Sequence, residues 1–238
     1  MNSLNSKDKV AVLVPAYNEA SSIKDVIDNV KLVLAESNYS FEIIVIDDGS
    51  TDSTGDLAKN AGAIVIRHIL NSGAGSATAT GLSYAEQNGF TIAATMDADG
   101  QHDPADVLRG IKELERHKVD LLIGSRLINS HGMSRVKVLG NKGLSFITYL
   151  LFGVNSTDSQ SGLRIFSRRS LELLRWKTSG YEFCSEMLWR AKQIDLTINE
   201  YPIKAIYTDY SRSKGQNNWN AVNIVTSLLR RRLVEIFQ

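Results

Sequence analysis

Three polar clusters, each directly after a short apolar run, constrain the fold of this chain most. The apolar runs span residues 10–14, 41–46 and 91–96, and the clusters that follow them span residues 15–19, 47–52 and 97–102. A short continuous apolar run is typical of a strand that is covered on both faces, as in a parallel sheet. Ligands of open parallel sheets bind beyond the carboxyl ends of the strands. Each cluster alone is compatible with a turn, but together they predict an α/β fold with one site at that edge.

Helical patterns separate these runs, as a parallel α/β sheet requires. We predict helices at residues 21–35, 53–61, 74–88, 104–117, 135–152, 183–192 and 220–237, and further strands at 63–67, 120–124 and 162–166. Residues 196–206 look extended, and Pro202 indicates an edge strand or a bend. Because no repeat, low-complexity tract or linker interrupts the pattern, we predict one domain over residues 1–238.

The composition excludes several classes of protein. Lys and Arg number 27 and Asp and Glu 26, and this balance argues against a nucleic-acid partner, which normally requires a basic excess. The single Cys184 excludes an intrachain disulfide and fits a reducing compartment. The longest apolar stretch, residues 144–154, is shorter than the roughly 20 residues that cross a bilayer. We therefore expect a soluble or peripheral protein.

Asp97 and Asp99 are the strongest candidates for a metal site. Side chains two residues apart at a strand end point to the same side, and two unpaired carboxylates there would repel each other. Mg²⁺ relieves such repulsion, and it typically binds one or two carboxylates together with substrate phosphates. Gln101 and His102 are candidates for a further ligand or a supporting contact. A turn at Asp99, with Asp103 capping the helix that begins at residue 104, is the alternative, and both can hold together.

These motifs resemble a known family. The segments Val-Pro-Ala-Tyr-Asn-Glu (14–19), Asp-Asp-Gly-Ser-Thr-Asp (47–52), Asn-x-Gly-x-Gly (71–75) and Asp-Ala-Asp-Gly-Gln-His (97–102) resemble the inverting glycosyltransferases of family 2. Gly-Ser-Arg (124–126), Asp158, Gly-Leu-Arg-Ile-Phe (162–166) and Tyr-Glu-Phe (181–183) are similar to polyprenyl-phosphate sugar synthases of the dolichol-phosphate mannose synthase type. The resemblance implies a GT-A fold, which is a Rossmann-like, mostly parallel sheet flanked by helices in a single domain.

The resemblance implies that residues 9–125 bind a nucleotide diphosphate sugar. The residues that it places against this donor are Pro15, Tyr17, Glu19, Asp47, Asp48, Gly75, Asp97, Ala98 and Asp99. Tyr17 offers a stacking face for the base, and either Asp47 or Asp48 accepts a hydrogen bond from a base N–H group. Gly73 and Gly75 allow close backbone approach. The implied metal ligands are Asp97, Asp99 and Gln101, and the implied cofactor is Mg²⁺ or Mn²⁺.

Residues 126–215 are the acceptor-binding half in the same resemblance. The candidate acceptor-phosphate ligands are Arg126, Arg135, Asn141 and Arg164, and the residues with implied catalytic roles are Asp97, Asp99, Arg126 and Arg164. Guanidinium groups match phosphate oxygens in a bidentate fork, whereas an ordinary ion pair is the alternative for either arginine. Asp158, Glu182 and Glu186 are candidates for a base or for contacts to the sugar, and Lys214 for a loop over the donor.

Two helical segments are relevant to membrane association. Residues 144–154 are apolar on nearly all sides of a helix, which fits core packing or a helix that faces lipid. We predict an amphipathic helix at residues 218–238. Its Arg230–Arg232 run suits a bilayer surface or a subunit contact, so the sequence is compatible with a homo-oligomer. We expect a cytoplasmic protein that is peripheral at the inner face of the cell membrane.

The sequence departs from the family in one segment. Ala74, Ser76, Thr78 and Thr80 occupy positions at and after the glycine motif where many relatives carry basic residues. The base and sugar of the donor therefore stay open. The leading hypothesis is transfer of a hexose from a UDP- or GDP-sugar to a polyprenyl phosphate. The alternatives are a glycosyltransferase with a sugar or glycan hydroxyl as acceptor, and a non-catalytic module that binds nucleotide sugars.

Overall fold

The structure, a computed structural model, describes residues 8–130, 132–206 and 219–236, and these residues form a sheet of seven strands. The strands are β1 (Lys9–Ala16), β2 (Ser40–Asp47), β3 (Ile64–Arg67), β4 (Ile92–Thr95), β5 (Leu121–Ser125), β6 (Arg164–Ser167) and β7 (Ile198–Pro202). Their order in the sheet is β3-β2-β1-β4-β6-β5-β7. Every predicted strand is present, and β7 with its Pro202 lies at a sheet edge, as predicted.

Helices cover both faces of the sheet. They are α1 (Ile23–Ala35), α2 (Thr54–Asn60), α3 (Ala74–Gln87), α4 (Pro104–His117), α5 (Arg135–Phe152), α6 (Arg168–Leu173), α7 (Phe183–Gln193) and α8 (Trp219–Ile236). All predicted helices are confirmed, whereas α6 was not predicted. It begins directly where β6 ends, at the cap residue Ser167, so no loop signal separates the two elements.

The core forms two layers because side chains alternate along the strands. On β1, Val10, Val12 and Val14 pack with α1, α2 and α4 on one face. Ala11 and Leu13 point to the other face, where α3, α5, α6, α7 and α8 pack. Both faces of the central strands are therefore buried. This explains why these strands read as continuous apolar runs.

Strand β6 runs against the other six strands. It pairs antiparallel with both β4 and β5, whereas every other pairing in the sheet is parallel. Arg164, the first residue of β6, is in register with Thr95 at the end of β4. The segment that leads into β6 consequently lies at the carboxyl edge of the sheet, among the polar clusters.

Helix α4 begins as predicted. The Asp103 side chain accepts a hydrogen bond from the Ala105 backbone N–H at 2.9 Å, and Pro104 occupies the first turn. This arrangement satisfies one of the free N–H groups at the helix start. Asp103 therefore caps the helix, while Asp97 and Asp99 are left for another role.

Asp120 joins three elements at the opposite, amino-terminal edge of the sheet. One carboxylate oxygen accepts hydrogen bonds from the backbone and side chain of Thr197, both at 2.8 Å, and pairs with Arg169 at 2.9 Å. The Ser167 hydroxyl donates to the other oxygen at 3.3 Å. Burial opposes the charge of Asp120, but the bonds from Thr197 and the charge of Arg169 hold its pKa below the ordinary value.

Replacing Asp120 with Asn should lower the free energy of unfolding by about 2 kcal/mol at neutral pH, the scale of hydrogen bonds to a charged group. Because the folded-state pKa is depressed, this contribution is complete above about pH 5 and is lost as the pH falls through the folded-state value. Urea unfolding of both proteins at several pH values measures it. A difference between them that grows towards acid pH would contradict this assignment.

Candidate functional site

The first two polar clusters interlock at the carboxyl edge of the sheet. The Asn18 backbone N–H donates to the Ser50 hydroxyl at 3.0 Å, and the Thr51 N–H donates to the Asn18 side chain at 2.9 Å. The Glu19 N–H donates to the Thr54 hydroxyl at 2.8 Å. Asn18 adopts a positive φ of 54°, which Asn tolerates better than most residues. The predicted meeting of these clusters is thus present in the structure.

Ser22 links the first cluster to the third. Its hydroxyl lies 2.8 Å from the Ala98 carbonyl oxygen, to which it donates, and 3.2 Å from a carboxylate oxygen of Glu19. Pro15 is half-buried at the end of β1, and Tyr17 is 44% exposed, so its ring is accessible at this edge. No sequence motif distinguishes Ser22, because a serine at the start of a helix normally indicates a cap.

Asp48 organises the glycine motif. One of its carboxylate oxygens accepts a hydrogen bond from the Ser72 N–H at 2.9 Å and lies 2.7 Å from His68 Nδ1, and the other accepts from the Gly73 N–H at 2.8 Å. Asp47 is fully buried; one oxygen accepts from the Ser50 N–H, and the other lies 3.4 Å from Arg67 Nε. Both carboxylates therefore hold loops of the chain, and the base contact expected of one of them stays a prediction.

The glycine motif packs directly on the second half of the chain. The Gly75 N–H donates to the Ser179 carbonyl at 2.7 Å, and the Trp176 indole N–H donates to the Gly75 carbonyl at 3.1 Å. A Cβ atom at Gly75 would lie 2.6 Å from the Thr178 carbonyl oxygen, and Gly73 has a φ of 93° against Ser179. Glycine is required at both positions, for space and for backbone conformation.

Asp97 and Asp99 form a pair of like charges with little compensation. The side chain of Asp97 is half exposed, whereas Asp99 is more enclosed. Burial, followed by the charge of Asp97, raises the pKa of Asp99. Burial and the charge of Asp97 also raise the pKa of Tyr181, whose side chain therefore lies in the same field. Such a pair fits a hard divalent cation, which would remove the repulsion.

His102 and Gln101 hold these carboxylates in place. Nδ1 of the buried His102 accepts a hydrogen bond from the Asp97 backbone N–H at 3.1 Å, so the neutral ring carries its proton on Nε2, which is 3.7 Å from the Asp97 carboxylate. Gln101 donates both its backbone N–H and its side-chain amide to Asp99. In this arrangement the amide nitrogen of Gln101 faces Asp99 and orients it, and the expected role of Gln101 as a metal ligand stays a prediction.

The described residues contain no group of three or more His, Cys, Asp or Glu side chains arranged to hold a metal. Asp97 and Asp99 would supply two carboxylates to a cation at this edge. A magnesium ion normally completes such a ligand set with water and substrate phosphates.

Gly162 packs against Asp97, a contact that the sequence analysis did not identify. A Cβ atom at this position would overlap the Asp97 carboxylate. The Gly162 carbonyl also accepts a hydrogen bond from the Thr95 hydroxyl at 2.8 Å. The glycine was visible in the Gly-Leu-Arg motif, but only the antiparallel direction of β6 brings it to Asp97.

Arg126 and Asp158 form a bidentate ion pair near the same edge. Arg126 Nε donates to one carboxylate oxygen at 2.7 Å and Nη2 donates to the other at 2.9 Å. The Arg126 backbone N–H also donates to Asp158, at 3.1 Å. Asp158 is fully buried, whereas 17% of the Arg126 side chain stays exposed. Both carboxylate oxygens of Asp158 therefore bind Arg126 and fix the orientation of its guanidinium group.

Arg164 differs from its expected role as an acceptor-phosphate ligand. Its residue is only 1% exposed, and its guanidinium donates to the carbonyl oxygens of Ser159, Ser161 and Cys184 at 2.8–3.3 Å. Those carbonyls surround the group, so in this structure it faces the chain interior and not an anionic ligand. Arg164 supports the segment that leads into β6.

The other acceptor candidates are placed as follows. Arg135 is exposed in the first turn of α5, and Asn141 is half-buried nearly two turns later. Their contact with an acceptor phosphate stays a prediction. Lys214 lies outside the described residues.

Glu186 connects the last helix to the glycine motif. This fully buried carboxylate accepts hydrogen bonds from the backbone N–H groups of Lys177 and Thr178 at 3.2 and 2.9 Å, and from Arg231 of α8 at 3.2 Å. Burial opposes its charge, but these partners hold its pKa below the ordinary value. The next residue, Ser179, contacts Gly75. Glu186 therefore has a structural role, and its carboxylate is not positioned to act as a base.

Replacing Arg231 with Met should lower the free energy of unfolding by about 2 kcal/mol, because it removes a charged partner from a buried carboxylate. The exposed neighbour Arg230 provides the matched control, and its change to Met should alter stability by less than about 0.5 kcal/mol. Urea unfolding at neutral pH measures both. Equal effects of the two substitutions would show that the contact with Glu186 contributes nothing.

Comparison with known proteins identifies the family. Residues 11–175 match the family described as Glycosyl transferase family 2. The chain is 42% identical over 230 residues to the UDP-N-acetylglucosamine–dolichyl-phosphate N-acetylglucosaminyltransferase of Methanococcus voltae, covering 87% of this chain and 90% of that protein. It is 28% identical over 218 residues to the undecaprenyl-phosphate mannosyltransferase of Micrococcus luteus, covering 87% of each.

A solved structure shares the fold. Glucosyl-3-phosphoglycerate synthase from Mycobacterium tuberculosis, in complex with Mn²⁺, uridine diphosphate and phosphoglyceric acid, superposes with a TM-score of 0.71. The match covers 94% of this chain and 78% of that one at 21% identity, which supports the fold alone. The sheet described above thus has the GT-A arrangement, and the chain belongs to glycosyl transferase family 2.

Proposed function

We propose that this glycosyltransferase moves a hexose from a UDP- or GDP-sugar to a polyprenyl phosphate, with inversion at the anomeric carbon. The observation that carries the proposal is the segment before β6, which joins the carboxylate pair Asp97 and Asp99 to the Arg126–Asp158 ion pair. Asp158 of this segment orients Arg126, and Gly162, four residues later, packs against Asp97. A cation-binding carboxylate pair and a basic group for an anionic acceptor are thereby connected through one short loop.

The donor lies along the carboxyl edge of the sheet in this proposal. Tyr17 and Glu19 line the nucleotide side, and the Gly73 and Gly75 backbone, which is bonded to Asp48 and Ser179, supports the adjacent loop. Asp97 and Asp99 hold Mg²⁺ or Mn²⁺, which supplies Lewis-acid stabilisation of the departing nucleoside diphosphate. The donor is supported by the methanococcal relative, whose name includes a UDP-sugar. The mycobacterial structure, which shares the fold, contains Mn²⁺ and uridine diphosphate.

The proposed acceptor is an anion, so the reaction requires no general base. A lipid phosphate oxygen is already ionised near neutral pH, so it can attack the anomeric carbon without losing a proton. The bond from that carbon to the diphosphate breaks as the new bond forms, and the nucleoside diphosphate leaves. Asp158 and Glu186 are both held by hydrogen-bonding partners in the interior, which leaves them unsuited to proton abstraction.

A lipid acceptor implies work at a membrane surface. No helix within the described part of the chain combines the length and apolar character needed to cross a bilayer. Two relatives are named for dolichyl and undecaprenyl phosphate acceptors. We infer that the protein acts peripherally, at the cytoplasmic face of the cell membrane.

Incubation with a radiolabelled nucleotide sugar and Mn²⁺ should transfer label to polyprenyl phosphate and not to a free oligosaccharide. Transfer to the oligosaccharide alone would establish a hydroxyl acceptor and overturn the proposal. If neither polyprenyl phosphate nor the oligosaccharide became labelled, the result would favour a non-catalytic module that binds nucleotide sugars.

Asp99→Asn should lower the transfer rate by at least about 100-fold, since it weakens a metal ligand while preserving side-chain volume. Asp103→Asn is the matched control, because Asn also caps helices and Asp103 only caps α4. Its rate should stay within about twofold of the wild type. Comparable activity of Asp99→Asn and wild type would exclude the assigned metal role.

A further inference from the structure

Glu200, on the edge strand β7, places both of its carboxylate oxygens against the segment before β6. One oxygen accepts hydrogen bonds from the Ser156 hydroxyl at 2.7 Å and from the Thr157 backbone N–H at 2.9 Å. The other oxygen accepts from the Thr157 hydroxyl at 2.6 Å. The Glu200 side chain is half-buried. The hydrogen bonds of this carboxylate thus converge on two consecutive residues of one loop.

Thr157 links Glu200 to the end of β5. Its hydroxyl lies 2.6 Å from the hydroxyl of Ser125, the last residue of that strand. A hydroxyl has one hydrogen to donate, and a carboxylate can only accept. Because Thr157 donates to Glu200, Ser125 donates to Thr157. The Ser125 oxygen in turn accepts the backbone N–H groups of Leu127 and Ile128 at 3.2 and 3.3 Å. The hydrogen bonds therefore run in one direction, from the loop after β5 to Glu200.

The ion pair of Arg126 and Asp158 lies inside this set of hydrogen bonds. Arg126 directly follows Ser125 in the chain, and Asp158 directly follows Thr157. Each partner of the ion pair is therefore next to a residue that Glu200 holds, either directly or through one hydroxyl group. The guanidinium group and the carboxylate that orients it are consequently both positioned from a single side chain of β7.

The other flank of Asp158 is held without a charged group. The Ser159 backbone N–H donates to the Ser145 hydroxyl of α5 at 3.0 Å, and both serines are buried. Thr157, in contrast, is exposed, so water competes for its hydrogen bonds. A hydrogen bond to a charged acceptor is shorter and about twice as strong as one between neutral groups. An acidic side chain such as that of Glu200 is therefore suited to fix the exposed flank of the loop.

We propose that Glu200 is a positioning residue for the transfer reaction. Through Thr157 and Ser125 it fixes the orientation in which the Arg126 guanidinium meets the acceptor phosphate. The proposal rests on the proposed function, since it requires an anionic acceptor at Arg126. Glu200 does not itself contact a reacting group, because both of its oxygens are occupied by the loop. Its replacement should therefore weaken the use of the acceptor and leave the binding of the donor unchanged.

Steady-state transfer by Glu200→Gln tests the proposal, with a nucleotide sugar, Mn²⁺ and a short-chain, water-soluble polyprenyl phosphate. The substitution preserves side-chain volume, but an amide NH2 group cannot accept the hydrogen bond from the Thr157 hydroxyl. The KM of the phosphate acceptor should rise about tenfold, while the KM of the donor should stay within about twofold of the wild type. A merely structural loss would lower kcat through the fraction of active protein and leave both KM values unchanged.

Thr157→Val removes the same hydrogen bond from the other side and should raise the acceptor KM by a similar factor. Glu42→Gln on β2 is the matched control, since Glu42 is also a half-buried carboxylate of a strand but pairs with Lys9 at 3.1 Å. It should leave both KM values unchanged. Circular dichroism melting curves establish that each variant is folded before it is compared.

A double-variant cycle with Arg126→Lys shows whether Glu200 acts through the arginine. Adding Glu200→Gln to Arg126→Lys should raise the acceptor KM no further, because the guanidinium that Glu200 positions is then already absent. Multiplication of the two separate effects would show that Glu200 acts independently of Arg126 and would overturn the proposal. An unchanged acceptor KM in Glu200→Gln would overturn it as well.

The wild-type protein separates this proposal from the proposed function. Transfer to the phosphate by the wild type, with the same acceptor KM in Glu200→Gln and Thr157→Val, would refute the positioning role and leave the acceptor assignment intact. Transfer by the wild type to a free oligosaccharide, and none to the phosphate, would refute the acceptor assignment and the positioning role that rests on it.

Discussion

The antiparallel placement of β6 between β4 and β5 is the constraint on which both halves of the site depend. Because β6 starts at the edge where its neighbours end, the segment that precedes it is brought to the polar clusters. That segment contains Asp158, which orients Arg126, and Gly162, which leaves space for Asp97. A parallel β6 would begin at the opposite edge and would carry Asp158 away from Arg126, and Gly162 away from Asp97, by the length of the strands.

Electrostatic repulsion is concentrated at one point of this edge. Asp97 and Asp99 remain close although burial and mutual charge raise the pKa of Asp99. The surrounding contacts from His102 and Gln101 hold the carboxylates in position without neutralising them. Elsewhere, buried carboxylates such as Asp158 and Glu186 have cationic partners. The uncompensated pair is therefore the part of the structure that a cation would stabilise most.

The sequence predicted those features that local pattern controls. Continuous apolar runs predicted the buried strands, helical spacing predicted the long helices, and the polar residues at strand ends predicted the edge that carries the site. The family motifs predicted the GT-A fold. These signals succeed because each depends on neighbouring residues and on the periodicity of one element.

Contacts between distant segments were not predictable in the same way. The direction of β6, the burial of Arg164 and the connection from Arg231 to Glu186 each depend on residues far apart in the chain. The arginine of a Gly-Leu-Arg motif reads equally well as a phosphate ligand or as a buried donor to carbonyl groups. Only the positions of its acceptors, which are set by the tertiary fold, distinguish the two.

The most direct test of the central assignment is the thermal stability of the protein with nucleotide sugars, measured with and without Mn²⁺. One UDP- or GDP-sugar should raise the melting temperature only when Mn²⁺ is present, with a stabilisation of about 2.7 kcal/mol at a ligand concentration 100 times its Kd. Asp99→Asn should abolish the shift, because the diphosphate then lacks its bound cation. Equal stabilisation by the nucleotide sugar without metal would contradict the role assigned to Asp97 and Asp99.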